Sequence, residues 1–351
     1  MLGQLDLRNT RCILDNGLVI GKTNTLIVGG GQAGVAMSAH LQKCGIEHLI
    51  IEKDRIAERW RSARWDSLVM NGPAWHDRFP EMHFDNWHPD SFPNKDAVAS
   101  YFETFARQIN VPIHCGVEVT NVTQSQNGGF MVKTSRGAIK AQNIVAATGP
   151  FQTPVIPSII ADDRISQIHS FDYRNPKQLD DGAVLIIGAG SSGSQIADEL
   201  LRAGRKVYLS IGPHERPPRS YRGKDFVWWL GTLGKWQKKT PPIGKEHVTI
   251  AVSGAYGGKT VDFRKFAHRE MKLLGMTKAY ANGVITIADD LAKNIANGDA
   301  NYLGLLAEAD EYIKVNNLDF PAEEDAKLIM PDPACLTSPI RQLDLADAGI
   351  K

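Results

Sequence analysis

The sequence predicts an α/β protein built on two copies of one parallel-sheet unit, and three observations carry that prediction. A glycine-rich turn of the form G-x-G-x-x-G occurs twice, at Gly29–Gly34 and at Gly188–Gly193. Each turn follows directly on a short β-branched apolar run and opens a helical stretch, as a buried parallel strand feeding a helix requires. Each helical stretch stops at a glycine 16 residues after the first glycine of its turn, Gly45 and Gly204, and a further apolar run follows.

In the first copy Thr25–Val28 is the strand, Gly29-Gly30-Gly31-Gln32-Ala33-Gly34 the turn, and the stretch through Val35, Met37 and Leu41 the helix. Gly29 makes the tight turn, Gly31 lets a pyrophosphate approach the backbone, and Gly34 lets the helix pack on the strand. The helix N-terminus then offers a phosphate its free N–H groups and its positive dipole end. The next strand, His48–Ile51, ends in Glu52, 23 residues after Gly29, where a carboxylate accepts ribose hydroxyls.

In the second copy Val184–Ile187 is the strand, Gly188-Ala189-Gly190-Ser191-Ser192-Gly193 the turn, Gln195–Ala203 the helix and Val207–Leu209 the next strand. Here the ribose position is Ser210, followed by Arg216, Arg219 and Arg222. A neutral residue with guanidiniums nearby suits a 2′-phosphate, which an acid would repel. The alternative for three loop arginines is solvation at the surface. The expected fold is therefore α/β with two Rossmann-like dinucleotide-binding domains of the three-layer ββα type. The first is suited to a dinucleotide with free ribose hydroxyls, and the second to NADP(H). The alternative for each turn, a tight bend that binds nothing, is countered by the equal spacing of the two copies.

A length of 351 residues suits two domains. Forty Lys+Arg against 39 Asp+Glu leave a formal charge of +1, which speaks against a nucleic-acid footprint. No apolar run approaches the roughly 18 residues of a membrane span. Asp6, Arg8, Arg11 and Asp15 interrupt any signal-peptide core, so a soluble, cytoplasmic protein is expected. The four cysteines, Cys12, Cys44, Cys115 and Cys335, have no C-x-x-C spacing, and the ten histidines form no ligand motif, so no metal is expected.

The domain plan places an N-terminal extension at 1–23, the first nucleotide domain at 24–155 and a linker at 156–181. The second domain, with an insertion, takes 182–320, and 321–351 lead back toward the first. Pro150, Pro154, Pro157 and Pro176 punctuate the connection. Residues 53–115 read as loop-rich, with Trp60, Trp65, Trp75 and Trp87 as core or interface aromatics. Trp228, Trp229 and Trp236, with the loop Thr240–Lys245, suit either a substrate-side lid or an interface. Residues 284–316 read as helical with Leu291, Ile295, Leu303, Leu306 and Ile313 inward, and Pro321–Asp325 as a solvated loop.

The segment Glu58-Arg59-Trp60-Arg61-Ser62-Ala63-Arg64-Trp65-Asp66-Ser67-Leu68, followed by Asn71-Gly72-Pro73, resembles the class B flavin-dependent monooxygenases. That family includes the flavin-containing monooxygenases, the plant auxin-forming enzymes and the Baeyer–Villiger enzymes. Ala146-Ala147-Thr148-Gly149 after the strand Asn143–Val145 resembles the family's A-T-G segment. His169-Ser170-Phe171-Asp172-Tyr173 resembles the second half of its F-x-G-x-x-x-H-x-x-x-Y/W fingerprint. The first half is missing, with Asp163 and Ile165 where Phe and Gly would stand. The likeness runs over residues 24–225 and is strongest to bacterial CzcO-like flavoproteins.

The resemblance implies FAD at the first turn and NADP(H) at the second, in a domain inserted into the FAD domain. For FAD it implies Gly29, Gly31, Gln32, Ala33, Gly34, Glu52, Lys53, Arg59, Trp60, Val119, Thr148 and Gly149. For the pyridine nucleotide it implies Gly188, Gly190, Ser191, Ser192, Gly193, Ser210, Arg216, Arg219 and Arg222, with His169 orienting the linker or touching a cofactor. A capped structural histidine is the equal alternative for His169. Asn71 is the implied catalytic residue, as a neutral amide that hydrogen-bonds the oxygen species without protonating it. The alternative for Asn71-Gly72-Pro73 is an ordinary turn.

The implied reaction is NADPH-dependent oxygenation of a small organic substrate by O2 through a flavin C4a-(hydro)peroxide. Relatives continue beyond a segment like Leu343–Ile350 with a further flavin-sealing part, so a chain ending at Lys351 is expected to expose flavin unless a homo-oligomer or partner subunit completes the site. Two alternatives stay open: an NADPH-dependent flavin reductase or oxidase with no dedicated substrate, and a catalytically silent nucleotide-binding subunit.

Overall fold

Leu26 and Ile27 are both completely buried, which requires a strand hydrogen-bonded on both edges and covered on both faces. The computed structural model describes residues 21–237, Lys239 and 249–351. Cys12, most of the expected N-terminal extension and the loop Thr240–Lys245 lie outside the described residues. The described chain forms two compact units.

The first unit comprises residues through Arg64, Asp77–Asn86 and Pro93–Pro154. Its strand β1 (Lys22–Val28) leads into helix α1 (Gln32–Lys43) and strand β2 (His48–Ile51). Helices α2 (Glu58–Ser62) and α3 (Lys95–Gln108) follow, then β3 (Ile113–His114) and a meander of β4 (Val119–Gln124), β5 (Phe130–Thr134) and β6 (Gly137–Ala146). The sheet order is β3-β2-β1-β6-β5-β4. β1 runs parallel to β2 and to β6, whereas β5 is antiparallel to both its neighbours. Gly45, in the left-handed region at φ +65°, ends α1 by donating its N–H to Gln42 O.

Helix α3 falls in the stretch that reads from sequence as loop-rich. Asn94 starts it by accepting from Ala97 N–H at 2.9 Å. Its buried face, Tyr101, Phe102 and Phe105, stacks on Phe79 and Phe84, with Phe79 and Phe105 ring centres 4.3 Å apart.

The second unit comprises Trp65–His76, Trp87–Phe92 and Val155–Lys351. Its parallel sheet has the order β13-β8-β7, from β7 (Val184–Ile187), β8 (Val207–Ser210) and β13 (Lys272–Leu274), with α4 (Ser191–Arg202) between β7 and β8. Short pieces follow β8: β9 (His214–Glu215), β10 (Ser220–Tyr221), β11 (Lys224–Asp225), α5 (Phe226–Thr232), β12 (Thr249–Ile250), α6 (Ala255–Gly258) and α7 (Phe263–His268). After β13 come β14 (Thr277–Ala281), β15 (Val284–Ile287), the long α8 (Leu291–Val315), α9 (Ala334–Thr337), β16 (Gln342–Asp344) and α10 (Leu345–Ala348).

Several boundaries differ from those read off the sequence. Residues 321–351 fall in the second unit, where β16 pairs antiparallel with β15 and Ile350 bridges Ala183. Residues 65–76, expected in the first domain, belong to the second and carry Asn71 with them. The stretch from 284 begins as strand, and Leu303 is 37% exposed while Leu291, Ile295, Leu306 and Ile313 are buried. Trp228 and Trp229 pack on Phe320, and Trp229 also on Tyr312 of α8, so they serve the core; Trp236 is exposed and stacks on His76.

The approach of helix to strand sets one firm expectation. A Cβ on Gly34 would stand 1.9 Å from Gly29 O, and one on Gly193 the same distance from Gly188 O. Those oxygens are backbone and have no room to withdraw. Gly34→Ala and Gly193→Ala should each cost about 1–3 kcal/mol in urea unfolding, whereas Gly31→Ala, whose Cβ meets nothing within 4 Å, should leave the midpoint unchanged.

Candidate functional site

The first turn is shaped by three different demands on its glycines. Gly29 has φ +114° and lies against Ala147, Gly34 admits only a hydrogen, and Gly31 faces open space. Gly31 caps α1 without any side-chain acceptor, so the first N–H groups of the helix are left for an outside anion. Gln32 and Ala33 are exposed on the same first turn. Glu52 stands at the end of β2, where one carboxylate oxygen accepts Gly30 N–H at 2.6 Å and the other Asp54 N–H at 2.8 Å. Each oxygen keeps a lone pair for a ribose hydroxyl. These residues fit a dinucleotide pyrophosphate and ribose.

Other expected FAD residues divide into those near this unit's surface and one in its core. Arg59 on α2 donates to Gln152 Oε1 at 3.2 Å, and Gln152 in turn donates to Thr148 O, which ties α2 to the segment Thr148-Gly149. Gly149 adopts φ +80° there. Lys53 is exposed and Trp60 half-buried. Val119 is half-buried, its side chain packed against the sheet-core cluster that includes Leu26, Ile51 and Val132.

The second turn repeats the backbone of the first but not its openness. Gly193 again admits only a hydrogen, and Gly188 again has positive φ, +101°. At Gly190, however, a Cβ would meet Thr249 Cγ2 at 2.2 Å. Strand β12 pairs in parallel with β9, Thr249 with His214 and Ile250 with Glu215. Ser191 Oγ donates to Ile250 O at 3.0 Å, so the chain itself covers the start of α4. Ser192 remains exposed.

The ribose position and its arginines are also engaged. Ser210, 2% exposed, donates its hydroxyl to Gly275 O and accepts Thr277 N–H. Arg216 pairs with Asp299 at 2.8 Å, Arg219 with Asp225, and Arg222 with Asp310 at 2.7 Å. Arg216 and Arg219 are 5% and 3% exposed. These guanidiniums, expected from the sequence beside a 2′-phosphate, are engaged by carboxylates within the unit, and a buried guanidinium keeps its partner because an unpaired one is costly. His169 closes its own turn, its Nδ1 accepting Phe171 N–H at 3.1 Å. Tyr173 donates to Glu199 at 2.6 Å, and burial, reinforced by that carboxylate, pushes its hydroxyl far above the ordinary range.

Asn71 is exposed and held from two sides. Its Oδ1 accepts from Gln195 Nε2 at 2.8 Å, and its backbone carbonyl accepts from Arg219 at 2.6 Å. The amide is thereby oriented, with Nδ2 as the edge left to donate. Gln195 is a site residue that sequence reasoning missed. Its signal was its spacing four residues from Ser191, which puts both side chains on one face of α4.

Asp299 joins Arg216 to Arg264, which it meets at 2.6 Å and which also pairs with Asp332. Asp299→Ala strips the shared partner from two buried guanidiniums and should cost about 3–5 kcal/mol by chemical denaturation.

A probable indole-3-pyruvate monooxygenase, YUCCA1 of Arabidopsis thaliana, is 29% identical over 192 residues, 53% of this chain and 46% of that protein. The CzcO-like uncharacterized oxidoreductase of Geobacillus kaustophilus is 41% identical over 216 residues, 60% of this chain. The chain covers 61% of that relative's length. A flavin monooxygenase structure from Stenotrophomonas maltophilia superposes with a TM-score of 0.60 at 19% identity, covering 77% of this chain and 74% of that one. The described residues contain no helix long and apolar enough to cross a membrane. The pyridine nucleotide-disulphide oxidoreductase profile matches residues 26–230, more than half of the sequence, and the chain belongs to that family.

Proposed function

We propose that the chain is an FAD-containing, NADPH-dependent monooxygenase acting on a small organic substrate. The observation that carries this reading is Asn71: an exposed amide outside regular structure, held by Gln195 on the very helix that the second glycine turn opens. A simple nucleotide-binding unit has no need to orient a solvent-facing amide through a buried glutamine. The similarity to a protein described as a probable indole-3-pyruvate monooxygenase supports the same reading.

FAD at the first turn, when bound, supplies hydride acceptance and O2 activation. The chain's own part is to bind and to orient. The open face at Gly31, the uncapped start of α1 and Glu52 hold the dinucleotide. The Asn71 amide donates a hydrogen bond without offering an acidic proton, so it stabilises a negatively charged oxygen without hastening its loss. No acid or histidine is needed at that point.

Purified protein supplied with FAD should retain a flavin absorbance spectrum after gel filtration and consume NADPH. Asn71→Leu should lower formation of oxygenated product about 100-fold while NADPH consumption continues, with hydrogen peroxide replacing product. A chain that binds no FAD, or a variant that keeps full product yield, would overturn this reading.

A further inference from the structure

Residues 249–252 run across the first two turns of α4, and α4 grips them at matching intervals. Ser191 Oγ donates to Ile250 O at 3.0 Å and accepts Val252 N–H at 3.4 Å. Four residues on, Gln195 Nε2 lies 3.4 Å from Val252 O and 2.8 Å from Asn71 Oδ1. Two positions one turn apart on the helix thus read two positions alternating along the extended segment. Thr249 completes the cover by laying its methyl on Gly190.

A phosphate approaching this turn needs the open face of Gly190 and the first N–H groups of α4. Thr249 and Ile250 stand on that approach, yet both are themselves exposed and are held in a ladder only two residues long. Gln195 is 6% exposed and has one amide group, with two protons, for two acceptors. If Val252 O withdraws, one of those protons loses its acceptor, and the Gln195 amide that orients the Asn71 side chain keeps one anchor where it had two.

We propose that Gln195 is a positioning residue that couples nucleotide occupancy of the second glycine turn to the Asn71 amide, with Thr249–Val252 as the displaceable link. The inference rests on the proposed nucleotide role of this turn, not on which substrate is oxygenated. Binding is then a competition: the nucleotide phosphate displaces Thr249 and Ile250 from the start of α4, and the change reaches Asn71 through one side chain.

The test is hydrogen-exchange mass spectrometry of the full chain, with NADP+ as the probe and no turnover. Saturating NADP+ should speed exchange in the peptide 249–252, the reverse of ordinary ligand protection, and alter exchange in 69–72. Gln195→Leu should keep the change at 249–252 and lose the change at 69–72. Thr249→Gly, which removes the methyl from Gly190 and loosens the ladder, should tighten NADP+ binding several-fold by calorimetry. Protection or no change at 249–252, an unaltered 69–72 response in Gln195→Leu, or no NADP+ binding by either the parent chain or Thr249→Gly overturns the inference. Failure of the monooxygenase reading would appear elsewhere, in the flavin spectrum and in the product yield of Asn71→Leu.

Discussion

A carbonyl oxygen 1.9 Å from where a side chain would begin is the constraint on which both nucleotide units depend. It recurs at Gly34 against Gly29 and at Gly193 against Gly188. Because the helix can come that close to its strand, its first N–H groups stand at the end of the sheet rather than beyond it. The parallel strands β1 and β7 then carry the turn, and the left-handed glycines Gly45 and Gly204 send the chain back to the next strand.

The two units meet this constraint alike and differ in what they leave open. At Gly31 nothing stands within 4 Å of the missing side chain; at Gly190 the methyl of Thr249 does. The same backbone is therefore an open cradle in one unit and a covered one in the other. The cover is not inert packing, since the helix it shields also holds Asn71 through Gln195. A binding surface and an orienting hydrogen bond thus share one short segment.

Local pattern made the crossings legible. The strands His48–Ile51 and Val184–Ile187 coincide with the apolar runs, and both stop glycines behave as their positions imply. Helix α3 was not legible, because its face is aromatic and its partners Phe79 and Phe84 come from a loop that shows no period. The arginines after Ser210 illustrate another limit of local pattern. Charge type is visible in sequence, but the partners Asp299 and Asp310 lie 83 and 88 residues away along the chain. Thr249 over Gly190 is likewise a long-range contact with no local sign, and β16 joined the second unit through pairing that its three residues do not announce.

Those ion pairs bear on encounter as well as on folding. A formal charge of +1 from 40 basic and 39 acidic residues need not mean a weak local field, since charges of one sign can gather on a single face. Here Arg216, Arg219, Arg222 and Arg264 are each neutralised within a few ångströms by their own carboxylates. Neutralised at such range, they cast little potential beyond the surface, and a polyanionic ligand finds no guanidinium funnel there to draw it in. Long-range steering of an anionic ligand, where it occurs, therefore does not come from these four arginines.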